Sequence, residues 1–306
     1  MKEAEDCFLK VRNDYLNFLS KEKIFDQSKA AKIRSLKRTY IPMSFWIEEK
    51  YKKKGKTLFL GLSGGQGSGK TTISKILKII LKKYFKRKIE VISIDNFYKT
   101  SEERNKMSNI THPLFKTRGV PGTHDINLIN KFFYFIKKKK FKKFKIPKFS
   151  KTLDDRLKKK YWQSISQKPE IAILEGWCVG ARHQSSNLLK KPINDLEKYQ
   201  DKNMIWRKYV NQKLKNEYKK FFNNIDYLIF MKIPNFKMVF KWRFLQEKKL
   251  EKKPYPQNKI MSYYGIKRFI MFYERITLQM VKDLSKSASL VIELKKNHGI
   301  KKILFK

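Results

Sequence analysis

Cysteine is almost missing from this chain: Cys7 and Cys178 are the only two in 306 residues, and they lie far apart. No disulfide framework can be built from them, and a reducing, cytoplasmic setting fits. No apolar run approaches the roughly twenty residues that cross a bilayer, so no membrane partner is expected. The amino terminus, with Glu3, Glu5 and Asp6, reads neither as a secretory signal nor as an acid-poor transit peptide. Acidic residues are scarce, 27 against 73 lysines and arginines, which leaves a formal net charge of +46. A field of that sign attracts anions, phosphate backbones included.

Three features turn this charge away from a nucleic-acid function. The lysines are spread over the whole chain. Lysine greatly outnumbers arginine, the residue that groove readers lean on. Abundant Lys, Asn, Ile and Phe together match codon drift in an AT-rich genome, with lysine filling solvated faces. The segment Lys137 to Lys145 is read in the same way, as a solvated helix end. No specific nucleic-acid partner is therefore expected, and a small anionic substrate is. Hydrophobic residues at 41% and aromatics at 14% exclude disorder and suffice for a core.

One stretch carries most of the functional information. Gly64-Gly65-Gln66-Gly67-Ser68-Gly69-Lys70-Thr71 follows the apolar run from Thr57 to Ser63 and precedes a helical run from Thr72 to Tyr84. This is the spacing of a phosphate-binding loop. Its glycines let backbone N–H groups turn inward around the β- and γ-phosphates, and the helix behind points its positive end at them. Gly64 through Thr72 are the nucleotide-binding candidates. Lys70 reaches the terminal phosphates, and the Thr71 hydroxyl can ligate Mg²⁺. ATP and Mg²⁺ are the expected cofactors.

The first fifty residues repeat apolar positions at helical spacing (Phe8, Val11, Tyr15, Phe18 and Leu19, then Ile33 and Leu36). Thr39-Tyr40-Ile41-Pro42 breaks that pattern, and Met43 to Tyr51 reads as a second short helix. Residues 1–55 are taken as a helical extension and 56–306 as the phosphate-loop domain. Within the latter, 98–160 is an acceptor-side insert and 238–256 a lid-like helix. Strand-like runs at Ile89 to Ile94, Ile171 to Leu174, Tyr227 to Met231 and Leu290 to Leu294 follow the first. They alternate with helical patterns at Ile126 to Phe141, Trp206 to Phe222, Met238 to Lys253 and Lys267 to Leu284. The expected fold is α/β, a five-stranded parallel sheet flanked by helices, with its ligand at the carboxyl ends of the strands.

Carboxylates terminate two of these strands, in Ser93-Ile94-Asp95-Asn96-Phe97-Tyr98 and Ile173-Leu174-Glu175-Gly176-Trp177. Both emerge on the edge that carries the phosphate loop. Phosphoryl transfer asks a protein for in-line positioning, Mg²⁺ and charge neutralisation. One carboxylate can take the proton of an acceptor hydroxyl while the other holds Mg²⁺ or its water shell.

Six segments resemble the D-glycerate 3-kinase group of the phosphoribulokinase, uridine kinase and pantothenate kinase superfamily. They are the stretches 61–72, 93–98, 118–125 (R-G-V-P-G-T-H-D), 174–180 (L-E-G-W-C-V-G), 239–247 and 269–277. The resemblance runs from about residue 40 to the carboxyl end, and the branch with an amino-terminal helical extension looks like that of plants and cyanobacteria. It implies an ATP-dependent, photorespiratory transfer to a hydroxyl of D-glycerate; a monomer is expected. It further implies Asp95 as general base, Glu175 beside Mg²⁺, and Arg118, His124 and Asp125 around the acceptor.

Arg243 lies on the lid-like helix, where the superfamily uses basic residues to neutralise the migrating phosphoryl group; a surface pair with Glu247 is the plainer alternative. Arg275 reads as a structural ion pair, and His298 with Gly299 as a loop near the adenine. Two departures from the family pattern stand out. Asn96 replaces a second Asp. The acceptor-side stretch Pro147 to Arg156 is shortened and has lost its glycines, although Lys151 and Arg156 still suit an anion. The competing functions are a related kinase for ribulose 5-phosphate, a nucleoside or pantothenate, and a nucleotide switch. The switch lacks a GTP-reading N-K-x-D string.

Overall fold

The computed structural model describes residues 2–22, 28–251 and 260–306. Position 1 and positions 23–27 of the extension, and positions 252–256 of the lid-like segment, lie outside the described residues. The chain opens with α1 (Lys2–Lys21), α2 (Lys29–Ser35) and α3 (Ile41–Lys54). α1 buries Cys7, Phe8, Val11, Tyr15 and Leu19 along one stripe, at the three- and four-residue spacing of an amphipathic helix.

The sequence pattern implies a break at Thr39–Pro42; the helix instead runs through it. A π-turn, Leu36–Tyr40, joins α2 to α3, with the Ile41 N–H donating to the Leu36 carbonyl. Pro42 has no N–H to give. The wider turn shifts the hydrogen-bond ladder by one residue ahead of it, so the helix passes the proline without unwinding. α3 then stops at Gly55, whose φ of 67° is the left-handed conformation of a helix end.

β1 (Leu58–Gly64) is buried at every position, as a strand covered on both faces must be. Helix α4 (Lys70–Lys83) turns Ile73, Ile76, Leu77, Ile80 and Leu81 inward. Ile76 and Ile80 meet Cys7, Val11, Tyr15 and Leu36, so the N-terminal layer shares a core with the helix behind the phosphate loop. β2 (Ile89–Ser93) ends in a 3₁₀ turn, Ile94–Phe97.

The insert that follows contains α5 (Ser101–Ile110) and α6 (Ile126–Lys137). Two small antiparallel pairs come next, β3 (Phe144–Ile146) with β6 (Gln163–Ile165) and β4 (Phe149–Ser150) with β5 (Asp155–Arg156). Lysines 137–140, 142, 143 and 145 are exposed around half-buried Phe141 and Phe144. β7 (Ile171–Gly176) leads through α7 (Ser186–Lys190), α8 (Ile205–Lys213) and α9 (Lys219–Phe222) to β8 (Tyr227–Lys232). Helices α10 (Lys237–Glu251) and α11 (Tyr263–Ser287) precede β9 (Leu290–Leu294) and β10 (Ile300–Phe305).

The strands form one sheet in the order β10-β9-β8-β1-β7-β2, parallel throughout β2 to β9. The five parallel strands expected are present, β9, β8, β1, β7 and β2, and a sixth, β10, extends the sheet. β10 is antiparallel and pairs with β9 across the Lys295–Gly299 turn. Its lysines 301 and 302 are exposed, in keeping with an edge strand that puts charge on its open side. From β1 the chain first builds toward β2 and later toward β9, which makes β1 the switch point. In such sheets the ligand crevice opens at the strands' carboxyl ends beside that point.

Candidate active site

The phosphate loop is shaped by glycine where no other residue fits. Gly67 and Gly69 sit at φ 73° and 92°. A Cβ on Gly67 would lie 2.7 Å from the Cβ of Trp242 on α10, so the loop and that helix touch backbone to side chain. The Lys70 ammonium donates to the carbonyls of Gly64 and Gly65, at 2.9 and 3.0 Å, and is thereby held over the loop. The Ser68 hydroxyl, at the wall of the crevice, is buried with no partner among the described residues. A phosphate oxygen would satisfy it.

Strand register delivers the two carboxylates. Glu175 stands opposite Leu62 of β1 and Ser93 of β2. Asp95 follows two residues after Ser93, its N–H donating to the Ser93 hydroxyl. The Thr71 hydroxyl donates to Glu175, 3.1 and 3.3 Å from its two oxygens. The Tyr98 hydroxyl donates to Asp95 at 3.0 Å, and the Lys151 ammonium lies 2.9 Å from the same carboxylate. Lys70, Thr71, Asp95, Glu175, Arg118 and Lys151 line one cavity of about 480 Å³, within the range of small-ligand sites.

Burial pulls these groups in opposite directions. It would raise Asp95, but the Lys151 ammonium and the Tyr98 hydroxyl overcome it and hold the carboxyl at about 2. Burial raises Glu175, with Lys70 opposing. Burial lowers Lys70, with Glu175 and Asp95 opposing. At neutral pH Asp95 is thus an ionised carboxylate beside a cation, while Glu175 is the less acidic of the two.

Gln66 through Thr72, Arg243 and His298 line the same cavity. Arg243 is ion-paired with Glu247, the plainer alternative, and faces the cavity as well. Gly64 and Gly65 form the floor under Lys70. Other sequence candidates lie outside the lining. His124 is fully buried, stacked on Tyr98 with ring centres 4.4 Å apart and its Nδ1 2.5 Å from the Tyr218 hydroxyl. Burial lowers it to about 4, so it is a neutral ring supporting Tyr98 from behind. Asp125 caps α6 through the Leu128 N–H and pairs with Arg156 at 3.3 Å. Arg156 also donates to the Tyr98 carbonyl. Arg275 is buried against Glu197, at 2.6 Å, and the Leu188 and Lys191 carbonyls.

The cavity also contains residues that sequence reasoning passed over: Tyr98, Trp177, Tyr273, Trp242 and Asn297. Tyr273 carried a signal, since it stands two positions before Arg275 and a helix turns residues at that spacing to opposite faces. Its hydroxyl donates to the Arg118 carbonyl, and Trp177 donates to that of Gly119. A Cβ on Gly119 would fall 2.2 Å from the Tyr273 hydroxyl. These contacts fix the loop that presents Arg118.

The proteins that this chain is similar to include kinases. An uncharacterized kinase of Schizosaccharomyces pombe, mug58, is 29% identical over 214 residues, covering 67% of this chain and 76% of its own. The chloroplastic D-glycerate 3-kinase of Arabidopsis thaliana is 28% identical over 225 residues, 68% of this chain and 47% of that one. The chain is thus similar to both kinases over about two thirds of its length. It spans about half the length of the plant enzyme. The solved D-glycerate 3-kinase of Cryptococcus neoformans superposes with a TM-score of 0.73 over 87% of this chain and 99% of its own; at 19% identity, that likeness speaks for the fold. No protein-family model matches the chain.

Proposed function

We propose that this protein is an ATP-dependent phosphotransferase that phosphorylates a hydroxyl of D-glycerate to give 3-phosphoglycerate. The single observation that carries the reading is the shared cavity, lined by the phosphate loop, two carboxylates and the further cations Arg118, Lys151 and Arg243. The loop amides and Lys70 bind the triphosphate. Asp95 takes the proton of the acceptor hydroxyl as that oxygen bonds to the γ-phosphorus; the bond to the β,γ-bridging oxygen breaks and ADP leaves. Arg118 and Lys151 meet the acceptor carboxylate. Both already hold carboxylates, those of Asp154 and Asp95, which is the chemistry a hydroxy-acid needs. Arg243 faces the migrating phosphoryl group and offsets its charge.

Mg²⁺ belongs to the same reading. The Thr71 hydroxyl and the Glu175 carboxylate converge as hard oxygen donors, and among the described residues no cluster of three or more His, Cys, Asp or Glu competes for a metal. Such a donor set suits Mg²⁺, which keeps waters and phosphate oxygens around one or two protein ligands. Held by Thr71 and Glu175, the ion would supply positive charge to offset that of the phosphates. Two buried free thiols support a reducing cytoplasm.

The test is a substrate panel. Purified protein with Mg-ATP and D-glycerate, ribulose 5-phosphate, uridine or pantothenate is followed by ADP release. D-Glycerate is expected to turn over fastest. Turnover of another acceptor with none of D-glycerate overturns the acceptor assignment, and no acceptor-dependent ADP overturns the reading.

A further inference from the structure

The cavity does not end at the phosphate loop. Beyond Thr72 and Ile73, at the start of α4, its wall passes to Tyr15, Leu19, Lys32, Ser35 and Tyr40. All five belong to the N-terminal helices and the π-turn, the layer that the sequence could only describe as a cover. Leu294, Asn297, His298 and Ile300 around the β9–β10 turn line the same cavity.

The direction of this end follows from the chemistry at the other. Asp95, Glu175, Arg118 and Lys151 gather where an acceptor must meet the terminal phosphate. A nucleoside triphosphate lying on the loop therefore sends its base and ribose the opposite way, between the β9–β10 turn and the N-terminal layer. The composition of the walls changes accordingly. The acceptor end is ionic. This end offers the Tyr15 and Tyr40 rings, 5.9 Å apart, the Leu19 side chain and the Ser35 hydroxyl. Beside the β9–β10 turn, Trp242 and His298 stack with ring centres 4.4 Å apart, and His298 Nε2 lies 2.8 Å from the Gly67 carbonyl, tying that wall to the loop. Flat apolar faces with a few polar edges are what a heterocyclic base and a ribose require.

We propose that the N-terminal helical layer is a working part of the nucleotide site, with Lys32, Ser35 and Tyr40 contacting the nucleoside of the bound triphosphate. This rests on the kinase reading above and assigns the layer a role within it. Tyr15 and Leu19 are nearly fully buried and form the backing of that wall. Lys32, Ser35 and Tyr40 are half-buried, which leaves them open to a ligand and makes them safer positions to change.

The experiment separates nucleoside from phosphate recognition. Binding of ATP and of inorganic tripolyphosphate, which has the phosphates and no nucleoside, is measured by calorimetry for the full chain and for Lys32→Met, Ser35→Ala and Tyr40→Phe. Acceptor KM and melting temperature are read alongside. Each variant is expected to weaken ATP by roughly three- to tenfold, the worth of one net hydrogen bond, and to leave tripolyphosphate affinity and acceptor KM unchanged. Unchanged ATP affinity in all three folded variants overturns the proposal, as does an equal loss for ATP and tripolyphosphate. Wild-type protein that binds neither ligand overturns the nucleotide site itself, a result distinct from failure of the wall alone.

Discussion

At the scale of single residues, the pairing of Lys151 with Asp95 sets the charge state of that carboxyl. Asp95 sits in a buried site that by itself would hold it protonated at higher pH, and the Lys151 cation reverses this. A carboxyl lowered in the folded state adds stability above its unfolded value, roughly 4, and loses it as pH falls toward about 2. Glu175 is raised by burial, and the same cation opposes that rise alongside Lys70. Lys151→Ala is therefore expected to move the acidic limb of the kcat/KM profile to higher pH, with little change on the basic side. An unmoved limb would separate Lys151 from the carboxylates. Asp95 and Glu175 were legible because strand-ending acids beside a phosphate loop have few other uses. His124 was not legible as a support for Tyr98: a stacked ring and a hydroxyl from a segment 94 residues away are invisible to local pattern.

Among the elements, the N-terminal layer is where local and tertiary rules diverge. Helical periodicity around Tyr15 and Leu36 was readable, but Pro42 looked like a stop because proline usually is one. The π-turn before it accommodates the missing donor and keeps Leu36 fully buried against α1 and α4. Leu36→Ala should cost about 2–5 kcal/mol, seen in chemical denaturation as a lower midpoint. A loss well below this would mean that the layer is loosely attached. β10 escaped notice for a related reason. An edge strand with exposed lysines carries only half of the apolar signal that marked the buried strands β1 and β7.

For the whole molecule, the fold matters because it converts sequence order into proximity. Thr71, Asp95 and Glu175 come from three separate segments, and the order β8-β1-β7-β2 brings them to one crevice. That convergence could be inferred from alternating strands and helices, since right-handed crossovers leave few alternatives. The nucleoside wall could not, because it depends on how the extension packs across α4. The large positive charge attracts anions in general and does not itself define a reaction.

The account stands on Asp95 acting on the acceptor beside a triphosphate bound independently of it. Asp95→Asn, assayed with Mg-ATP and D-glycerate, should lower kcat by at least about 100-fold while ATP affinity stays near that of the wild-type protein. Turnover that survives the substitution, or ATP binding that disappears with it, would contradict the account.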